Sequence, residues 1–388
     1  MVAGHLREQN GYYQMILSFK DSTGKRKTKS ISTGLPVKGN KRKAEKMLDE
    51  ARKSYEGDLL KAEKPTESIL FTDFMREWLG MIKSSVEMST YGSYSFIVEK
   101  RIIPYFEDKN ILLTELTPTD IQRYYTHCLL AEHVSANTVI HRHANIHKAL
   151  KYAFKVGLIP YNPADRVERP RKNSFSSGVY GDKELGDLFA AAKGTKLELA
   201  IILGAFYGLR RSEIVGMKWD AIDFEKKRFS IQYTVTETNI GGKQTIVEKE
   251  RTKTKSSRRT LPIVEPFERL LIELRASQDK NRKVCGKSYC TDYLDFVYVD
   301  ELGRRIKPGY ITMAFPKLLA KSGLKRIRFH DLRHSCASLL YAHGVSLKDI
   351  QEWLGHSTIS TTANIYTHLD YSSKEASANA ILDVFPTR

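Results

Sequence analysis

Apolar residues near the C-terminus recur at helical spacing: Leu332, Cys336, Leu339 and Leu340 share one side of a helix expected from His330 to Ala342. His330 and Arg333, three apart, neighbour each other away from the centre of that stripe. Gly344 ends the helix, and Ser346 with Asp349 three residues on has the form of a capped restart. Ile350, Trp353 and Leu354 then face the core, and Gly355 serves as the C-cap. His356 falls just past that helix end, where a side chain can enter a cleft. Ser357 or Ser360 would cap one more short helix, carrying Tyr366.

Earlier in the chain the period changes. Gly11 to Lys20 has strand composition, Asp21 to Gly24 reads as a hairpin turn, and Lys25 to Thr33 alternates basic and polar residues as a return strand. Gly34 and Pro36 break it, a charged helix follows from Asn40 to Leu60, and Ala62 to Ser68 reads as a linker. From 69 to 165 the patterns are helical. Phe71, Phe74, Trp78 and Ile82 form one stripe, a second helix starts after Ser89, and Thr117-Pro118-Thr119-Asp120 opens another with proline in its first turn. A helix from Ala136 to Val156 turns Ile146, Leu150, Ala153 and Phe154 to the core. His141, Lys148, Lys151 and Lys155 face another way, as phosphate contacts would. Pro160, Pro163 and Pro170, with RPRKNSFSSG at 169–178, make an extended basic linker. Beyond it helices are expected at 182–192, 196–208 and 211–217. One small antiparallel sheet follows, from Phe229–Thr236 and Ile246–Pro262 around a Gly241-Gly242 turn, then helices at 265–280 and from Pro308.

Composition narrows the class. A chain of 388 residues holds two or three domains, and 41% hydrophobic with 28% charged residues describes a soluble globular protein. No apolar run has membrane-span length and the N-terminus lacks a signal peptide's apolar core. Four scattered cysteines (Cys128, Cys285, Cys290 and Cys336) make no disulfide framework, so a reduced, cytoplasmic protein is expected. The net charge of +18 points to an anionic partner, for which nucleic acid is the usual case, with a merely solvated basic surface as the bland alternative. Residues 1–64 alone hold fifteen Lys/Arg against eight Asp/Glu.

The chemistry-bearing residues then fall into a pattern. HDLRHS at 330–335, LGHSTISTT at 354–362 and IYTH at 365–368 resemble the closing motifs of the tyrosine site-specific recombinases, the integrase family. GLRRSE at 208–213 stands where that family has its first arginine, matching Arg210, with Glu213 as the accompanying acid. TKTKSSRRTLPI at 252–263 matches the family's lysine-bearing β-hairpin. Lys253 is the better fit there, and Lys255, two residues on along the same strand face, stays open. The resemblance implies a multidomain, mainly α protein with small antiparallel β-sheets. Its parts would be an arm-type DNA-binding domain of sheet plus helix at 1–64, a helical core-binding domain and linker at 65–172, and a mixed α+β catalytic domain at 173–388. Lys25, Lys27 and Lys29 would then line a β-ribbon able to enter a major groove.

The same resemblance implies the reaction. Tyr366 would attack a DNA phosphate, expel the 5′-oxygen and leave a 3′-phosphotyrosine. Arg210 and Arg333 would offer paired donors to the non-bridging oxygens, His330 and His356 hydrogen bonds and proton transfer, and Lys253 a proton to the departing oxygen. Fixed cations do the charge neutralisation that a divalent ion does elsewhere, so neither a metal nor any other cofactor is expected. The implied partners are double-stranded DNA at core and arm sites, further copies of the chain in a homotetramer, and accessory DNA-bending or excision factors. Ala380, Ile381, Val384 and Phe385 look like a tail docking on a neighbour. Two rival readings stay beside this one: a type IB topoisomerase, which shares the chemistry but relaxes DNA as a monomer, and a DNA-binding regulator that lost the reaction.

Overall fold

The computed structural model describes residues 2–20, 26–62, 69–173, 178–250 and 259–358. Lys25, Lys253, Lys255, Tyr366 and the tail after it lie outside the described residues. The chain groups into two compact units, one of Met1–Ile82 with Ile97–Asn173, the other of Lys83–Phe96 with Ser174–Arg388.

The first unit opens with three antiparallel strands in the order β1-β2-β3: β1 (Ala3–Gln9), β2 (Tyr12–Lys20) and β3 (Arg26–Pro36). β1 was not legible as a strand, because its polar sequence, AGHLREQ, shows little alternation. Helix α1 (Lys41–Ala62) adds Leu48 to a small core of Val2, Met15 and Leu17. Period-2 geometry fixes the faces. Lys29 pairs with Leu17 and Lys27 with Phe19, so both lysines, though exposed, stand on the core side of the sheet. The opposite side carries Arg26, Thr28 and Ser30.

The helical part of this unit comprises α2 (Phe71–Ile82), the end of α3 (Met88–Ile97), a π-helical turn (Val98–Ile102), α4 (Ile103–Phe106), α5 (Pro118–Leu130) and α6 (Ala136–Lys155). The expected start at Thr117 is a capping box: its hydroxyl accepts from Asp120 N at 3.2 Å, and Asp120 Oδ2 accepts from Thr117 N at 3.0 Å. Phe71, Phe74 and Trp78 are buried, and Ile146, Leu150 and Ala153 of α6 lie in the core as expected. Phe154 does not, being 51% exposed, because the buried stripe of α6 passes through Arg142, His143, Asn145 and Ala149 instead. Arg142 sits there by donating two hydrogen bonds to Glu132, at 2.8 and 2.7 Å. His141, Lys148, Lys151 and Lys155 are exposed together on the other side.

The second unit is mainly helical: α7 (Asp182–Ala192), α8 (Glu198–Ala205), α9 (Arg211–Val215), α10 (Glu265–Cys285), α11 (Pro308–Lys321), α12 (Asp331–Ala342) and α13 (Leu347–Leu354). α8 is apolar nearly all round, and Leu199, Ala200, Ile201, Leu203 and Ala205 are all buried. Such a helix can only be central. The expected single sheet is two. β4 (Ile222–Asp223), β5 (Arg228–Ser230) and β8 (Thr260–Pro262) form one, and β6 (Tyr233–Ile240) with β7 (Lys243–Glu250) forms a separate hairpin. Phe229, Ile231 and Val235 are buried at even spacing, although Tyr233 between them is only partly buried and Thr234 is buried too, so a period-2 reading runs one strand across the point where the hydrogen-bonding partner changes. Among the described residues no helix is long and apolar enough to cross a membrane.

Gly216, at the end of α9, fixes how that helix meets β6. A Cβ there would lie 2.8 Å from Tyr233 O and 2.9 Å from Thr234 Cα, backbone atoms that cannot step aside. Gly216→Ala is expected to lose about 1–3 kcal/mol of stability in urea denaturation. Gly186→Ala on α7, where a Cβ meets nothing within 4 Å, should gain roughly 0.5–1 kcal/mol.

Candidate active site

Four segments of the second unit converge. The loop after α8 delivers Arg210, α9 delivers Glu213, the start of α12 delivers His330 and Arg333, and the end of α13 delivers His356. Arg210 is the extended N-cap of α9, and Glu213 at the third helical position accepts its backbone N–H at 2.9 Å. The Arg210 side chain donates from Nη1 to Glu213 Oε1 at 2.9 Å and from Nη2 to the Gly355 carbonyl at 3.3 Å.

Arg333, expected beside the apolar stripe of α12, is 2% exposed. Backbone carbonyls make that burial tolerable. Nη1 donates to Gly208 O at 2.5 Å and Nη2 to Leu354 O at 2.6 Å, while Nε donates to His356 Nε2 at 3.3 Å. Leu354 O is among the acceptors that the end of α13 leaves without a helical partner. Of the five guanidinium N–H groups, three have these partners among the described residues, leaving one N–H on each Nη. Gly208 and Gly355 hold the two turns, with φ of +65° and +68°. A Cβ on Gly208 would lie 2.3 Å from Leu354 Cδ2, so only glycine fits.

Electrostatics follow from this crowding. Burial would push the Glu213 carboxyl up, but Arg259 and Arg210 together hold it down at about 2. Burial, then the charges of Arg210 and Arg259, lowers Arg333 to about 9. His356 is lowered to about 3 by burial and by Arg333 and Arg210. His330 is lowered to about 4 by desolvation of its ring, then by His334, Arg333 and Arg210, although part of the residue reaches solvent. Both imidazoles are therefore neutral near pH 7. Because His356 Nε2 accepts from Arg333, its own proton sits on Nδ1, which makes the ring a donor. Beside them a cavity of about 550 Å³ is lined by Arg259, Thr260, Gln351, Trp353, Gly355 and His356.

Comparison with known proteins gives this arrangement its setting. Residues 182–373 match the phage integrase family, and residues 70–129 match the phage integrase N-terminal SAM-like domain. The chain belongs to the phage integrase family. It is a tyrosine recombinase. A XerC-like tyrosine recombinase of Caldanaerobacter subterraneus is 28% identical over 98% of both chains. The ICEBs1 integrase of Bacillus subtilis is 24% identical over 97% of this chain and 98% of its own. In fold, the recombinase resembles the Tn1549 transposon integrase solved with transposon right end DNA (TM-score 0.64, 19% identity, 81% of this chain and 100% of that one). It also resembles the lambda integrase tetramer bound to a Holliday junction (TM-score 0.53, 17% identity, 93% and 94%). Among the described residues no group of three or more His, Cys, Asp or Glu is placed to hold a metal ion.

Of the recombinase's expected site residues, Arg210, Glu213, His330, Arg333 and His356 come together. Lys253 and Tyr366 fall within the family match but outside the described residues. Arg259 was not anticipated. It is 9% exposed and donates from Nη2 to Glu213 Oε2 at 2.9 Å. The signal for it was alternation: Arg259, Leu261 and Ile263 are all buried on one side of β8 and its flanks.

The lowered histidines set an acid limit. Below about pH 6.5 the unfolded chain binds protons at His330 and His356 that the folded chain refuses until about 4 and 3. The unfolded state therefore holds more protons across that window, and stability falls as pH falls. The urea midpoint should drop between pH 7 and pH 5, and less steeply in His356→Asn; parallel slopes would contradict this.

Proposed function

We propose that this tyrosine recombinase is the integrase of a mobile element, cutting and rejoining double-stranded DNA through a 3′-phosphotyrosine at Tyr366. The observation that carries the reading is the convergence of Arg210, Arg333 and His356 at the Gly355 turn, inside the stretch that matches the family. Two relatives named as element integrases, of ICEBs1 and Tn1549, align with most of the chain and support the mobile-element setting.

In this mechanism a scissile phosphate enters between Arg210 and Arg333. The two N–H groups left on Arg333 and those left on Arg210 meet its non-bridging oxygens, and His356 donates from Nδ1. Charge builds on those oxygens as the phenolate attacks, so the fixed donors stabilise the transition state more than the ground state. Lys253 protonates the leaving 5′-oxygen, with Lys255 as the alternative. Tyr366 is the tenth residue after His356. At about 3.5 Å per residue that chain is long enough for the phenol to reach the guanidiniums. The energy of the broken bond stays in the phosphotyrosine, and a second 5′-hydroxyl recovers it on religation.

The three parts of the notional assembly divide at 1–64, 65–172 and 173–388: arm-site binding, core-site binding and catalysis. His141, Lys148, Lys151 and Lys155, exposed together on α6, are assigned to core-site phosphates. On the arm-binding sheet, Lys25, Lys27 and Lys29 are assigned to DNA, with Arg26 on the opposite side of β3 as an additional contact. The active species is a homotetramer on two DNA sites in the bacterial cytoplasm, helped by accessory DNA-bending or excision factors.

The test is a nicked suicide duplex bearing the element's ends. The recombinase should form a covalent protein–DNA adduct, and Tyr366→Phe should bind the duplex without forming it. Arg210→Ala should slow adduct formation on the order of 100- to 1000-fold. Adduct formation by Tyr366→Phe, or relaxation of any plasmid regardless of sequence, would replace this reading with another.

A further inference from the structure

Arg259 raises a question that charge alone does not answer. One buried carboxylate, Glu213, already pairs with Arg210, and a second guanidinium beside it adds positive charge next to Arg333. An apolar side chain at this inward position of the strand would avoid that repulsion, and buried ion pairs are poor sources of stability. The geometry shows what the second arginine supplies instead. Glu213 Oε1 accepts from Arg210 Nη1 at 2.9 Å and Arg259 Nη1 at 3.4 Å. Oε2 accepts from Arg210 N and Arg259 Nη2, both at 2.9 Å. The acceptor positions of both oxygens are taken from two sides, so the carboxylate cannot turn. The same guanidinium lies under the turn that delivers His356: a Cβ on Gly355 would stand 2.9 Å from Arg259 Nη1, and the Gly355 carbonyl is the other anchor of Arg210.

We propose that Arg259 is a positioning residue of the recombination reaction: by clamping Glu213 and seating the Gly355 turn, it aims Arg210 at the scissile phosphate. This rests on the strand-cleavage reading above. Arg259 touches no reacting atom and acts through two contacts that Arg210 shares. Lysine cannot replace it, since one ammonium cannot span both carboxylate oxygens and lie flat beneath Gly355. Lys253 lies six positions earlier in the chain, so a competing route runs through the general acid, and the test must separate the two.

The experiment is single-turnover cleavage of a suicide duplex by wild type, Arg259→Lys, Glu213→Gln and the double variant. The duplex is built on ends mapped from the wild-type adduct and has three scissile groups: phosphate, methylphosphonate and 5′-bridging phosphorothiolate. On phosphate, Arg259→Lys should cleave on the order of 10- to 100-fold more slowly, the scale set by a small misplacement of a catalytic group. DNA affinity and the fraction of enzyme that eventually reacts should stay at wild-type values. The deficit should shrink on methylphosphonate, which lacks the oxyanion that Arg210 meets, and persist on phosphorothiolate, whose leaving group needs no acid. The double variant should be no slower than Glu213→Gln, because both changes release the same clamp.

Wild-type rates for Arg259→Lys on phosphate would overturn the proposal. Rescue by phosphorothiolate instead would move the role to Lys253 and overturn it as well. A smaller reactive fraction at an unchanged rate on all three substrates would mean misfolding, and would also sink it. If the wild type itself forms no adduct, the parent reading fails, an outcome distinct from all of these.

Discussion

Three guanidiniums crowd one buried carboxylate in this protein, and the second unit is arranged to make that tolerable. Burial, and then repulsion from Arg210 and Arg259, brings Arg333 down to about 9, and Glu213 offsets only part of it. In the proposed reaction that imbalance is useful, because a site that neutralised itself would have no field left for a phosphate. Its cost falls on folding, which must hold cations together before their anion arrives.

Backbone carbonyls carry much of that load. Gly208 O, Leu354 O and Gly355 O each accept from a site arginine, and two of the three belong to glycines in left-handed conformations. Carbonyl dipoles add no compensating charge, so they anchor a guanidinium without cancelling it. This also explains the buried apolar character of α8 and the fit of α12 against it. Rigid neighbours are needed to keep turns of this kind from relaxing outward, and Gly204, where a Cβ would lie 3.1 Å from the Phe329 ring and 3.5 Å from Leu332 Cδ1, shows how closely α8 meets the start of α12.

Much of this was readable from residue order. The helix-stop-restart pattern from His330 to His356 is present as expected, down to the Ser346 cap and the left-handed Gly355, because caps are local and their residues carry the geometry with them. The helix at Thr117 was legible for the same reason. What escaped were features decided by distant partners. The split of one expected sheet into two depends on which strand β5 meets, and the even spacing of Phe229, Ile231 and Val235 does not reveal it. Phe154 lost its core place to polar residues whose partners, Glu132 and Tyr125, sit on or after another helix. Arg259 was hidden by composition: at the end of a run of basic residues, nothing in its residue type sets it apart until Glu213 is seen beneath it.

The bonding of Arg333 has a practical corollary for anyone dissecting this protein. Its guanidinium closes the end of α13 and braces the turn at Gly208. Truncating it removes a structural tie and a charge at once, and an inert alanine protein would not say which loss mattered. Citrulline, a neutral isostere installed by semisynthesis, would delete the charge but keep only one of the two carbonyl ties, its urea oxygen facing the other carbonyl, so even that replacement loosens the scaffold as it removes the field.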